Sequence, residues 1–261
     1  MDSFIKVANF AKIVPYTNMF TKGLAVTILL SAFTVMIGFV LALVLALMRM
    51  SNVCPLRFLG TDKEGRLRDG GILLTLSRFN PLAFFATAYV EILRSTPVLV
   101  QIMIIYYGVF GVFDLPSVTI LGFIKFDRFF PGVVALGMNS GAYLCEIIRS
   151  GLQSVDGGQT EAARSLGLSQ TQNMRFVILP QAIKNILPAI ANEFVVIIKE
   201  SAITYVIGVQ DIMSAVNAVK GATFILVEPL LVATAIYFCL CFPTSKIIAH
   251  FERRMSRGSK R

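Results

Sequence analysis

Tryptophan is absent from this 261-residue chain, there is a single histidine (His250), and only 15% of residues are charged. With one histidine, a zinc or haem site lacks ligands. The four cysteines, Cys54, Cys145, Cys239 and Cys241, show no CxxC or other metal spacing. Three of them sit in apolar runs, where a thiol behaves as a small hydrophobe, so neither a disulfide framework nor a metal site is expected. No Gly-Lys dipeptide occurs, which excludes a P-loop and with it ATP hydrolysis by that route. No small-residue cleavage site closes a short apolar run after Lys6, Lys12 and Lys22, so a cleaved signal peptide is not expected. Acidic residues are also few, 15 against 24 basic ones, for a net charge of +9. The basic residues fall between hydrophobic runs, as membrane topology would place them, and not in a nucleic-acid-binding patch.

What is abundant is hydrocarbon. Apolar residues make up 56% of the chain and mean hydropathy is +0.73, against about 45–50% apolar and about 25% charged in soluble domains. Polar groups cannot cover such a surface, so lipid must. A bilayer core of about 30 Å needs roughly 20 apolar residues in a helix. The sequence offers five such spans, at about 23–48, 81–111, 130–150, 183–209 and 224–248, within one all-α membrane domain over 1–261. Pro97 is expected to kink the second. Lys and Arg concentrate in 49–78, 149–184 and 246–261, which the positive-inside rule assigns to the cytoplasm. That leaves the N-terminus outside and the C-terminus inside. Tyr106, Tyr107, Phe129 and Phe130 are candidates for interfacial anchoring, and the polar loop 52–78 has no assigned role.

Between the third and fourth spans, in the loop 151–182, runs Glu161-Ala162-Ala163-Arg164-Ser165-Leu166-Gly167, followed by Val177-Ile178-Leu179-Pro180. The pattern predicts a short helix opened by Gln159 or Thr160, with Glu161 in its first turn and a small apolar face of Ala162, Ala163 and Leu166. Gly167 would end it with a positive-φ turn. Such a helix suits docking into a partner's groove.

The fourth span carries Glu193, Lys199 and Glu200 in an apolar run. Intramembrane charges cost about 2.5–3.5 kcal/mol each on the lenient insertion scale. Glu193 and Glu200 are two turns apart on one helix face, with Thr204 extending the stripe, and they suit an ammonium-bearing ligand. The structural alternative is neutralisation by Lys199 or a neighbouring span. Gln101 is open to either a substrate or an interhelical hydrogen bond. Asn139, Tyr143 and Glu146 share a face, where an Arg149–Glu146 pair at i,i+3 is favoured over pathway lining. Glu91 and Arg94 repeat that spacing.

The EAA triplet, Gly167 and Val177-Ile178-Leu179-Pro180 together resemble the cytoplasmic signature of ABC importer permease subunits, with Val177 where Ile is usual. Ala142-Tyr143, Glu146, Arg149-Ser150-Gly151, Ser154-Val155 and Gly158-Gln159 are similar to the polar amino acid branch. So are Glu91, Arg94-Ser95-Thr96-Pro97, Val100-Gln101 and Lys199-Glu200-Ser201. The resemblance spans about 89–211. It implies a type I importer permease fold and a second permease subunit, identical or homologous. It further implies two cytoplasmic ATPases that bind ATP and Mg and receive Glu161–Gly167, and an external solute-binding protein that delivers an amino acid. Glu193 and Glu200 then match acids lining the substrate site, where Asp is more usual at 200. A secondary transporter using Glu193 and Glu200 as proton or ion sites is the alternative, distinguished by transport that survives without an ATPase.

Overall fold

The computed structural model describes residues 7–257 except 52, 56–74, 76 and 114. Most of the loop 52–78 therefore lies outside the described residues. A short turn of helix, α1 (Val7–Ala11), precedes α2 (Thr17–Met50), whose 34 residues extend the expected first span at both ends. At about 1.5 Å per residue α2 is near 50 Å long, more than the hydrocarbon needs. The second span is not one helix: α3 (Pro81–Ser95) and α4 (Val98–Met103), the latter continued by a π turn over Ile104–Val109, meet at 111°. Pro97 disfavours helical geometry in the residue before it, and Thr96 and Pro97 are both extended. The expected kink is thus a complete break.

A two-strand hairpin, Thr119–Ile120 against Ile124–Lys125, leads into α5 (Phe126–Gln153). Helices α6 (Gly157–Ser165) and α7 (Gln170–Asn173) and a second π turn (Met174–Ile178) fill the loop before α8 (Leu179–Glu200). The fourth span then tightens into a 3-10 segment, Ser201–Ile207. Helix α9 (Ile212–Thr223) and α10 (Val227–Arg257) complete the chain, with α10 running well beyond the expected 248.

By length and apolarity alone, two helices among the described residues qualify to cross a membrane, α2 with the turns before it and α10, and the bent α3–α4 pair, taken as one span, makes a third. Helices α5 and α8 are long enough, at about 42 and 33 Å. They are diluted by Asn139, Ser140 and Glu146 in α5 and by Asn192, Glu193, Lys199 and Glu200 in α8. They hold the centre of the molecule. Helix α5 packs along α2, where Gly141 meets Leu41 so closely that a Cβ would lie 2.9 Å from its side chain. Gly137, one turn earlier, faces Ile37, giving the small-residue seam that lets membrane helices approach. One core joins Val26, Leu30, Ile102, Leu136 and Ile207, a second Leu45, Val90, Leu144 and Ile186, and a third Phe20, Ile212 and Val216. Phe129, expected at an interface, belongs to the first core and meets Phe33 edge-on at 6.2 Å.

Candidate functional site

Helix α8 positions the two acids. Pro180 stands in its first turn, where a missing N–H costs nothing, and the apolar positions Ile186, Val195, Ile197 and Ile198 bury one side. Glu193 shares that side and is 8% exposed; the Ser140 hydroxyl of α5 faces it. Glu200, partly buried at the last turn, is close enough to Glu193 for the two charges to act on each other. Neither acid makes an ion pair with a described residue. Lys199 acts on Glu200 through space without forming a salt bridge.

Thr204 does not continue the stripe. After Glu200 the chain winds at about three residues per turn instead of 3.6, and Thr204 is fully buried with its hydroxyl donating to the Ser201 carbonyl at 2.7 Å. The α-periodicity expected beyond residue 200 does not hold there. Gln101 is likewise committed within the chain. Its Nε2 donates to the Leu93 carbonyl at 2.8 Å and to the Thr96 carbonyl and hydroxyl at 3.1 and 2.8 Å. Its Oε1 accepts from Asn139 Nδ2 at 2.9 Å. The break between α3 and α4 frees backbone carbonyls that must be satisfied inside the protein, and Gln101 supplies the donors. Of its two open readings, the interhelical hydrogen bond is the one these contacts support.

Glu146 is paired, and more heavily than the sequence suggested. Arg149 Nε donates to its two oxygens at 3.2 and 3.0 Å and Nη2 adds a bond of 2.8 Å. Arg49 of α2 also binds it, and Arg94 of α3 lies 3.8 Å away. Arg94 thus turns to Glu146, and its guanidinium lies over the Tyr143 ring, 5.5 Å from its centroid. Arg49, distant in sequence, was not legible as a partner.

The loop helix starts earlier than expected. Asp156 caps α6, its Oδ1 accepting from Gly158 N at 2.6 Å, so Glu161 sits mid-helix and not in the first turn. Ala163 is turned inward. The outward face is therefore Glu161, Ala162, Ser165 and Leu166, with Leu166 82% exposed. Gly167 follows at φ +83°, the left-handed turn that glycine adopts cheaply. A capping box between Ser169 and Gln172 opens α7. Among the described residues no cluster of three or more His, Cys, Asp or Glu could hold a metal ion.

Comparison with known proteins places this arrangement. Residues 70–257 match the family described as binding-protein-dependent transport system inner membrane component. The arginine transport system permease protein ArtQ of Bacillus subtilis (strain 168) is 36% identical over 95% of this chain and 97% of its own. A putative glutamine transport system permease protein GlnP of Rickettsia typhi is 33% identical over 94% of this chain and 96% of its own. A crystal structure of an amino acid ABC transporter with histidines contains a chain 40% identical to this one, with a TM-score of 0.77, over 94% of this chain and 98% of that one. With its helical framework, its broken α3–α4 pair and its loop signature, the chain belongs to the binding-protein-dependent transport system inner membrane components, the permeases of ABC transporters.

Proposed function

We propose that this chain is the membrane subunit of an ATP-driven importer of a polar amino acid in the bacterial inner membrane, with its N-terminus outside and its C-terminus cytoplasmic. The observation that carries the reading is the pair Glu193 and Glu200, two carboxylates on one helix without a counter-ion among the described residues. Such a pair suits a substrate carrying ammonium groups, of which every amino acid has one and a basic amino acid two. The relatives named for arginine and glutamine transport lie within that chemistry.

The second element is α6 with Leu166 and Gly167. A short helix offering Ala162 and Leu166 to solvent is built to enter a groove, and here the partner is a cytoplasmic ATPase holding ATP and Mg. Closure of two ATPases would push α6 and, through the π turn 174–178, α8 with its acids. A second permease subunit, identical or homologous, completes the pathway, and an external solute-binding protein supplies the amino acid.

The test is uptake by cells expressing the whole complex, with each unlabelled amino acid as competitor. Competition should come from basic amino acids and disappear with Glu193→Gln and Glu200→Gln. Uptake that continues when the ATPase is deleted would instead indicate a secondary transporter. Gly167→Val forces a β-branched residue into a left-handed turn. It should lower uptake by at least about tenfold, within the usual range of coupling energies, while ATP turnover by the complex continues. Normal uptake by that variant would overturn the role given to α6.

A further inference from the structure

Charge does not balance at the end of α2. Arg49, Arg94 and Arg149 converge on Glu146, and Glu91 of α3 acts on the same Arg149. Among the described residues, three guanidiniums thus face two carboxylates. Arg49 binds Glu146 through Nη1 and also meets the Cys145 thiol, which takes up part of its five-donor fork. Next to it lies a cavity of about 180 Å³. Ala46, Met50, Cys145 and Leu152 give it apolar walls, and Arg49, Arg149 and Gln153 complete the lining.

This combination has a location as well as a chemistry. Leu43, Leu47 and Met50, on the last turns of α2, are exposed, so the cavity opens beside the surface that hydrocarbon must cover. Arginine at the end of a membrane helix lies at headgroup depth. We infer that the cavity holds a phospholipid of net negative charge. Its phosphate is bound by Arg49 and Arg149, and the first carbons of one acyl chain rest on Ala46, Met50 and Leu152. One phosphate negative charge neutralises the excess, and a planar guanidinium matches its oxygens. The site would tie the lipid to the Glu146 cluster that joins α2, α3 and α5. It depends on the chain spanning a membrane and not on which solute is carried.

The test is native mass spectrometry of the intact purified complex, titrated with phosphatidylglycerol, phosphatidylcholine or inorganic phosphate. Phosphatidylglycerol should be retained more strongly than phosphatidylcholine, and inorganic phosphate should leave no adduct. Leu152→Trp fills the apolar part while leaving every charge in place. It should weaken phosphatidylglycerol retention roughly tenfold, the effect of displacing about two buried methylenes of the acyl chain. Arg49→Gln should do the same, and because it also touches Glu146, Leu152→Trp decides the matter if Arg49→Gln does not fold. Equal retention of phosphatidylglycerol by Leu152→Trp and wild type, or phosphate binding without lipid, would overturn the assignment. Because the readout is binding and not uptake, it stands or falls separately from the transport reading.

Discussion

Glu146 and the Glu193–Glu200 pair are acids on adjacent central helices, α5 and α8, with opposite surroundings. Glu146 accepts three bonds from Arg149, another from Arg49, and has Arg94 nearby. Glu193 is 8% exposed and, like Glu200, has no guanidinium or ammonium within bridging distance among the described residues. A carboxylate withdrawn from water is costly unless paired. At Glu146 the fold itself supplies the counter-charges, and three helices are joined as a result. At Glu193 and Glu200 no described residue forms a salt bridge, which fits the proposed role of receiving a cation from outside. Compensation by the chain marks a structural acid, and its absence at Glu193 and Glu200 is what supports the binding role proposed for them.

The largest effect should come from a third acid that sharpens the contrast. Asp211 caps α9, accepting from Ser214 N at 2.8 Å through Oδ1, but it is 1% exposed and its Oδ2 has no hydrogen-bond partner among the described residues. Burial pushes its carboxyl up to about 7 from 3.8. Because the folded value is raised, the folded chain holds the proton more tightly than the unfolded one. The stability contribution is complete below about pH 4 and is lost as pH rises to about 7, by on the order of 4 kcal/mol. Asp211→Asn keeps the capping oxygen and cannot ionise. Thermal midpoints of the purified protein should therefore fall from pH 4 to pH 8 in wild type more than in the variant. Parallel curves would show that Asp211 is hydrated and not isolated.

Next in size is Glu146→Gln, which leaves Arg49, Arg94 and Arg149 crowded without a counter-charge. It should destabilise the protein by about 2–3 kcal/mol, read as a lower unfolding midpoint at fixed pH. An unchanged midpoint would mean that this cluster is as loosely held as ordinary surface pairs.

How much of this was legible in the sequence follows the same division. Local relations came through: Arg149 three residues from Glu146, the loop helix ended by Gly167, and the span entry at Leu179-Pro180 were all readable from spacing. Relations across the chain did not. Arg49 is 97 residues from Glu146, and no periodicity announces that contact. Two local readings also failed for physical reasons. The start of α6 was placed late because Asp156, and not a residue nearer Glu161, takes the cap. The α-helical repeat that would carry Thr204 onto the acids' face ends at a 3-10 segment. Gln101 was ambiguous because its use depends on a helix break of 111°, a geometry that Pro97 suggests but does not specify.

A smaller stability effect, of opposite sign, should follow at Glu193 and Glu200. Glu193→Gln removes an uncompensated charge while keeping the side chain's shape. It should leave folding unchanged or raise stability by about 1 kcal/mol, and abolish uptake. Glu200→Gln, at the more open end, should behave similarly with a smaller gain. Loss of folding in Glu193→Gln would break the comparison, because it would reveal a hidden partner for that carboxylate and make the acid structural like Glu146.

Thr204→Val should have the least effect of all. Its hydroxyl is buried with a single bond to the Ser201 carbonyl inside the same tight turn, and valine has nearly the same shape. The loss should stay near 1 kcal/mol, the net worth of one neutral hydrogen bond, and competition profiles in the uptake assay should be unchanged. A shifted profile would mean that the 3-10 segment rewinds during transport and brings Thr204 onto the face of Glu193 and Glu200. The α-helical stripe read from the sequence would then describe another state of the same span. The stability and uptake measurements together separate these cases, since rewinding alters selectivity without altering the resting fold.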